Sequence, residues 1–287
     1  MPALTVPPGV EGIVSLHELP DPAWQSRWDR MFMPEGLKDR LLNLTLFCLR
    51  SRGRIDAVRL PIHGLTLLAG PPGTGKTTLA AGLADRAARD LDDGPLLFVE
   101  IDPHAFPSQM LGESQRSVAR LFARTLPDLA RRGRPTFVLL DEVEALAVSR
   151  TGASLETNPV DVHRATDAVL AGLDHVAGSC PNVTFVATTN HIAGVDAAFL
   201  SRADLIEQVP LPGLEAVTQI LRDSLAELIP VDGLDGELGT LAADCVAAQL
   251  DGRQVRKLIV RAVTSRRDLA LAPHTLRLED VRAALRA

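Results

Sequence analysis

The eight residues Gly70-Pro71-Pro72-Gly73-Thr74-Gly75-Lys76-Thr77 constrain the possible folds of this chain more than any other segment. They stand between a short apolar run, Leu65–Ala69, and a helix-like pattern in which Leu79, Leu83 and Ala87 recur. A strand that ends in such a loop and continues as a helix brings successive backbone N–H groups together. The glycines permit the curl, and the helix N-terminus adds positive potential at the same place. The result is a cradle for phosphate. Lys76 is placed to reach β and γ phosphates and Thr77 to ligate Mg²⁺, while Gly70, Pro71, Pro72, Gly73, Thr74, Gly75 and Thr78 complete the cradle. The competing reading, a Gly/Pro turn ahead of a helix, leaves the Lys-Thr ending and the flanking strand without a reason.

Three further apolar runs, Leu96–Ile101, Phe137–Leu140 and Val183–Thr188, and a weaker one at Leu205–Val209, are apolar almost throughout. Parallel strands covered on both faces look like this. Helical patterns lie between them, so the expected architecture is α/β: a wound, five-stranded parallel sheet flanked by helices. After Pro210 and Pro212 the stretches Val217–Leu228, Leu238–Ala248, Gln254–Arg266 and Leu278–Arg286 read as helices with no strand between them. We therefore expect an α/β domain over residues 23–211 and a small helical domain over 212–287. Residues 1–22 carry Pro2, Pro7, Pro8, Pro20 and Pro22 and are expected to be an extended or loosely ordered lead-in, with order beginning near Trp24. An amphipathic helix over Leu37–Arg50 precedes the first expected strand.

Phe137-Val138-Leu139-Leu140 runs directly into Asp141 and Glu142. Two carboxylates at a buried strand end are costly unless something cationic meets them. Beside a triphosphate, Asp141 would hold Mg²⁺ through its water shell and Glu142 would orient the attacking water. Alone, the pair could equally cap the next helix; the upstream loop decides for catalysis. Asn190 ends Ala187-Thr188-Thr189-Asn190 at the carboxyl edge of the sheet, where ligands of open α/β folds collect. It fits a polar sensor of the γ-phosphate or of the water, although an Asn there is also a common turn residue. Arg202 and Arg253 follow in order, each by itself compatible with a solvated surface arginine.

The formal net charge of −6 and pI near 5.7 argue against a nucleic-acid partner. A basic run, Arg253, Arg256, Lys257, Arg261, Arg266 and Arg267, keeps a nucleic-acid motor or loader in view as the alternative. Cys48, Cys180 and Cys245 lack metal-ligand spacing and read as small buried hydrophobes. No uncharged apolar stretch reaches the ~20 residues of a membrane helix, and a cytoplasmic location is expected.

Taken in order, the loop Gly70–Thr77, the acidic pair Asp141-Glu142, Asn190, Arg202 and Gly252-Arg253 resemble an AAA+ P-loop ATPase with a C-terminal helical lid. Three stretches are more particular: Leu140 to Leu146, Phe199 to Leu205 and Gly252 to Leu258. These, with Leu19-Pro20, Trp28 and Lys38 to Leu42, resemble the pachytene-checkpoint family, remodelers of HORMA-domain proteins. The resemblance implies ATP as substrate with Mg²⁺, and a homo-hexamer in which Arg202 reaches the γ-phosphate held by its neighbour. It further implies that Arg253 closes over the nucleotide and that Met110 and Leu111 occupy the place of the pore loop. That loop usually carries an aromatic residue, so these two side chains either grip a threaded chain or pack against the following helix. Bacterial relatives of the family act beside HORMA proteins and a nucleotide cyclase in antiphage CBASS systems. There the motor pulls apart the activating complex, so the implied partner is a HORMA-domain protein with its bound peptide or cyclase.

Overall fold

The computed structural model describes residues 4–6, 10–91, 94–105, 113–148 and 159–286. Its strands are β1 (Ile13–Leu19), β2 (Leu65–Ala69), β3 (Leu96–Ile101), β4 (Thr136–Leu140), β5 (Val183–Thr189) and β6 (Leu205–Gln208). Its helices are α1 (Gln25–Asp29), α2 (Leu37–Ser51), α3 (Lys76–Asp90), α4 (Glu113–Arg120), α5 (Leu126–Leu129), α6 (Pro159–Ser179) and α7 (Ala197–Leu200), then α8 (Leu214–Leu225), α9 (Asp235–Ala247), α10 (Gly252–Thr264), α11 (Arg267–Leu271) and α12 (Leu278–Arg286). Residues divide into two compact units: 1–30, 34–70 and 76–208 in the first, and 31–33, 71–75 and 209–287 in the second.

The first unit is a six-stranded sheet in the order β1-β3-β4-β5-β2-β6. Five strands are parallel, as their apolar runs predict, and every residue of β2, β4 and β5 is buried. The count of five is corrected by β1, which pairs antiparallel with β3 from Ile13↔Ile101 to Leu19↔Leu96. The expectation of a loose lead-in ending near Trp24 therefore fails for residues 13–19. Pro20 and Pro22 lie just beyond the strand's end, so they terminate it without removing one of its donors. Ile13, Leu16 and Leu19 are buried, and the backbone N–H of Asp21 donates to the buried carboxylate of Asp85 on α3 at 2.7 Å.

One face of the sheet, including Leu97, Val99, Val138, Leu140, Phe185 and Ala187, packs against Val118, Phe122, Leu126, Val169, Leu173 and Val176 from α4 to α6 and the π-helical turn Leu121–Thr125. On β3 and β4 the alternate residues Phe98 and Phe137 stack at 5.9 Å, and Trp24 meets Phe98 edge-on at 4.9 Å. The α3 helix buries Leu79, Leu83 and Ala87 and lets α1 approach closely. A Cβ on Gly82 would stand 2.7 Å from the Trp28 backbone nitrogen. In α2, Leu37, Leu41, Thr45 and Cys48 form the buried stripe.

The second unit is helical. Val217, Leu221, Leu225, Leu238, Leu241, Cys245, Val255, Leu258, Ile259 and Val281 make its core. Asp251 starts α10 with a reciprocal cap: its carboxylate accepts from the Gln254 N–H at 2.8 Å, and Gln254 Oε1 accepts from the Asp251 N–H at 2.8 Å. Among the described residues no helix is long and apolar enough to cross a membrane.

One buried cation ties the start of the sheet together. Arg52, 6% exposed, donates to the carbonyls of His63 at 2.6 Å, Cys180 at 2.9 Å and Val183, so residues leading into β2 and β5 share one guanidinium. We expect Arg52→Met to lower unfolding free energy by about 3 kcal/mol, because three backbone carbonyls, two of them in buried hydrogen bonds, lose charged donors; an unchanged urea midpoint would contradict this. Burial also pushes the Cys48 and Cys245 thiols up to about 11. Since the thiolate is the reactive form, both should resist alkylation at pH 8 in the folded protein and label rapidly in denaturant.

Candidate nucleotide site

At the carboxyl edge of the sheet, β2 and β5 end side by side, with Ala69 opposite Thr189 and the Gly70 N–H donating to the Thr189 carbonyl at 3.2 Å. The chain then turns through residues 71–75 and enters α3 at Lys76. Gly73 and Gly75 have φ of 78° and 90°, values that side chains with a Cβ rarely adopt. Gly73 is also crowded within its own unit, where a Cβ would stand 2.2 Å from Asp251 Oδ1. Thr74 Oγ1 donates to the Pro71 carbonyl at 3.0 Å and steadies the turn. Thr77 and Thr78 follow in the first turn of α3, whose leading N–H groups lack intrahelical acceptors.

Lys76 is 6% exposed. Its Nζ donates to the Gly70 carbonyl at 2.8 Å and to Asn190 Oδ1 at 2.9 Å. Burial holds its pKa below the usual lysine value, while the charges of Glu144, Asp141 and Glu142 pull it back up. A cation so placed has the charge an incoming phosphate requires.

The acidic pair sits where β4 ends, one strand away from Asn190. Asp141 Oδ1 accepts from Thr77 Oγ1 at 2.8 Å and from Thr188 Oγ1 at 2.6 Å. Carboxylate and hydroxyl oxygens are the hard donors Mg²⁺ prefers, and it takes one or two protein carboxylates with phosphate and water completing its shell. Thr77 and Asp141 therefore suit a Mg²⁺ ion arriving with a nucleotide. No group of three or more His, Cys, Asp or Glu among the described residues could hold a resident metal.

Glu142 lies in the left-handed region, φ 52° and ψ 51°. For a residue with a Cβ this costs on the order of 1 kcal/mol, a strain found where function demands it. Its N–H donates to Thr188 Oγ1 at 3.0 Å, and its Oε1 accepts from Asn190 Nδ2 at 3.1 Å. Its Oε2 stands 3.4 Å from His104 Nε2. Asn190 thus bridges Lys76 and Glu142 with the two ends of one amide. The structure brings Gly70, Lys76, Thr77, Asp141, Glu142 and Asn190 together.

Arg202 is elsewhere in its bonding. Just past α7, its Nε and Nη2 donate to the two oxygens of Asp174 on α6, both at 2.7 Å, and its Nη1 donates to the Ala198 carbonyl at 2.8 Å. Asp174 raises the Arg202 pKa and is itself held below the usual carboxylate range by that guanidinium. Arg253 occupies the first turn of α10 in the second unit, its N–H capped by Asp251 at 2.7 Å and its side chain exposed. Met110 and Leu111 lie outside the described residues.

Sequence reasoning missed Thr188, His104 and the roles of Glu144 and Asp174. Thr188 had a usable signal, a hydroxyl within a run of buried strand residues one strand from Asp141. His104 and Asp174 had none, since each acquires its partner through the folded chain alone.

Residues 66–211 match the family described as ATPase family associated with various cellular activities (AAA). The chain is 44% identical over 282 residues to CD-NTase-associated protein 6 of Pseudomonas aeruginosa, covering 96% of this chain and 92% of that protein. It is 34% identical over 220 residues to a pachytene checkpoint protein 2 homolog of Danio rerio, covering 75% of this chain and about half, 51%, of that longer protein. Among solved structures, one titled as an E. coli MS115-1 HORMA:CdnC:Trip13 complex superimposes with a TM-score of 0.79 at 20% identity, over 98% of this chain and 97% of that one. C. elegans PCH-2 superimposes with a TM-score of 0.75 at 24% identity, over 96% and 74%. With the phosphate loop, the acidic strand end and these relatives in agreement, the chain belongs to the AAA family of ATPases, in the branch that includes the pachytene checkpoint protein 2 homologs.

Proposed function

We propose that this ATPase remodels a HORMA-domain protein complex, working as a homo-hexameric ring that threads its partner through the pore and so restrains a bacterial CBASS defence. The observation that carries the reading as a CBASS component is the 44% identity to CD-NTase-associated protein 6 along 92% of that relative's length. A solved neighbour titled as a complex with HORMA and CdnC proteins supports it.

In the chemistry we propose, Lys76 leaves Gly70 and Asn190 to pair with the β and γ phosphates, and the loop Gly70–Thr78 supplies its N–H groups. Asp141 and Thr77 would hold the Mg²⁺ ion, which would supply charge neutralisation at the phosphates. Glu142 accepts a hydrogen bond from the attacking water and orients it, with Asn190 fixing the carboxylate. The protein's contribution is position and charge, because the transferring phosphoryl group needs little covalent help. Arg202 bonds to no residue of its own chain's cluster, which supports its assignment to a neighbour's nucleotide. The helical unit would act as the lid, with Arg253 over the phosphates.

Two measurements test the proposal. Glu142→Gln should bind ATP, lose steady-state hydrolysis and retain a HORMA-domain partner in pull-downs from the native host; near-normal turnover, or a trap that holds no HORMA-domain protein, would count against it. Arg202→Ala should keep nucleotide binding and lose roughly 10³-fold in kcat. Mixed with Lys76→Ala, which lacks a working pocket but carries the finger, it should regain activity at the interfaces where an intact pocket faces an intact Arg202. A mixture no more active than its parts would end the trans assignment.

A further inference from the structure

We propose that Glu144 is a positioning residue for hydrolysis, one that holds the backbone of Asn190 through the acceptor oxygen of its side chain. This rests on the reading of Asn190 and Glu142 given above, and assigns to a third carboxylate a task that reading leaves open.

The left-handed backbone at Glu142 turns the chain into one tight helical turn, Val143–Ala145, and Val143 anchors that turn by its complete burial. Glu144 is thereby brought to the end of β5. Its Oε1 accepts from the Asn190 backbone N–H at 3.0 Å. The strand ladder no longer provides for Asn190: β2 ends at Ala69 opposite Thr189, and the Gly70 N–H takes the Thr189 carbonyl. The next N–H, of His191, is taken by Thr189 Oγ1 at 3.1 Å. The bond from Glu144 is therefore the one that fixes the Asn190 main chain past the last paired residue of β5.

Independence from the nucleotide is what makes this bond useful. The amide of Asn190 contacts Lys76 and Glu142, two side chains whose partners change when phosphate and water enter. A main-chain bond to Glu144 need not change with them. It keeps the pivot of the Asn190 side chain in place while the groups at its tip exchange partners. Reach matters because a displacement near 1 Å at a catalytic group costs ~100-fold in rate. The other oxygen, Oε2, is buried with no hydrogen-bond partner among the described residues, so the charge of Glu144 acts on its surroundings through space. Among the charges acting on Lys76, that of Glu144 is foremost. Acceptor and charge are separable by substitution.

The experiment compares Glu144→Gln, Glu144→Asp and Glu144→Ala in the full-length protein, with kcat from steady-state ATP hydrolysis and affinity from a fluorescent ATP analogue. Glu144→Gln keeps length and acceptor without charge, and kcat should stay within about threefold of the unmodified protein. Glu144→Asp keeps the charge but is one methylene too short, and together with Glu144→Ala it should lose ~100-fold in kcat, with nucleotide affinity within about threefold. On an Asn190→Ala background, Glu144→Asp should cost almost nothing more, since the two residues act as a unit. Normal turnover in Glu144→Asp, or equal damage in Glu144→Gln and Glu144→Asp, would overturn the inference. Full activity of Asn190→Ala would instead sink the underlying reading of Asn190, so the two failures are distinguishable.

Discussion

A single buried ammonium organises the working edge of this protein. Lys76 enters from the first turn of α3 and is accepted by the Gly70 carbonyl and by Asn190 Oδ1, with three carboxylates close enough to favour its charge. A lysine that is 6% exposed is tolerable only because those groups replace its water. The same arrangement makes the site responsive, since phosphate oxygens can take over the role that a carbonyl and an amide fill here. Asn190 is linked to Lys76 by one hydrogen bond and Glu142 by two.

The parallel sheet is what allows this. Strands β2, β4 and β5 all present their carboxyl ends on one edge, so residues that terminate three strands converge without long side chains. Thr188 shows how tightly the ends are coupled: one hydroxyl accepts from the Glu142 N–H and donates to Asp141. Two carboxylates adjacent in sequence are thus sent to different tasks, Asp141 toward Thr77 and Glu142 toward Asn190. The left-handed backbone at Glu142 is the turn that separates them.

By contrast, Arg202 is held away from this network by a bidentate bond to Asp174 and a carbonyl of its own turn. A guanidinium has five N–H donors, and these contacts use three of them. These bonds fix the guanidinium on Asp174 of α6 and Ala198 of α7. In the helical unit Asp251 performs a parallel service for Arg253, setting the first turn of α10 from which that side chain projects.

The sequence by itself determined the loop, the five parallel strands and the change to helices after Pro212, and it singled out Lys76, Thr77, Asp141, Glu142 and Asn190, which the fold brings together. These follow from local physics: apolar runs must be covered, glycines permit the curl, and charged residues at buried strand ends need partners. Only the tertiary structure decided that β1 adds an antiparallel edge, because the flanking prolines conceal a short amphipathic strand. It also decided which partners the charged groups find. Lys76 meets Asn190 across 114 residues, Asp141 meets Thr77 across 64, and Glu144 meets the Asn190 backbone across 46. No periodicity records such pairings, since they depend on the order in which the strands are laid side by side, and that order is set by packing over the whole sheet.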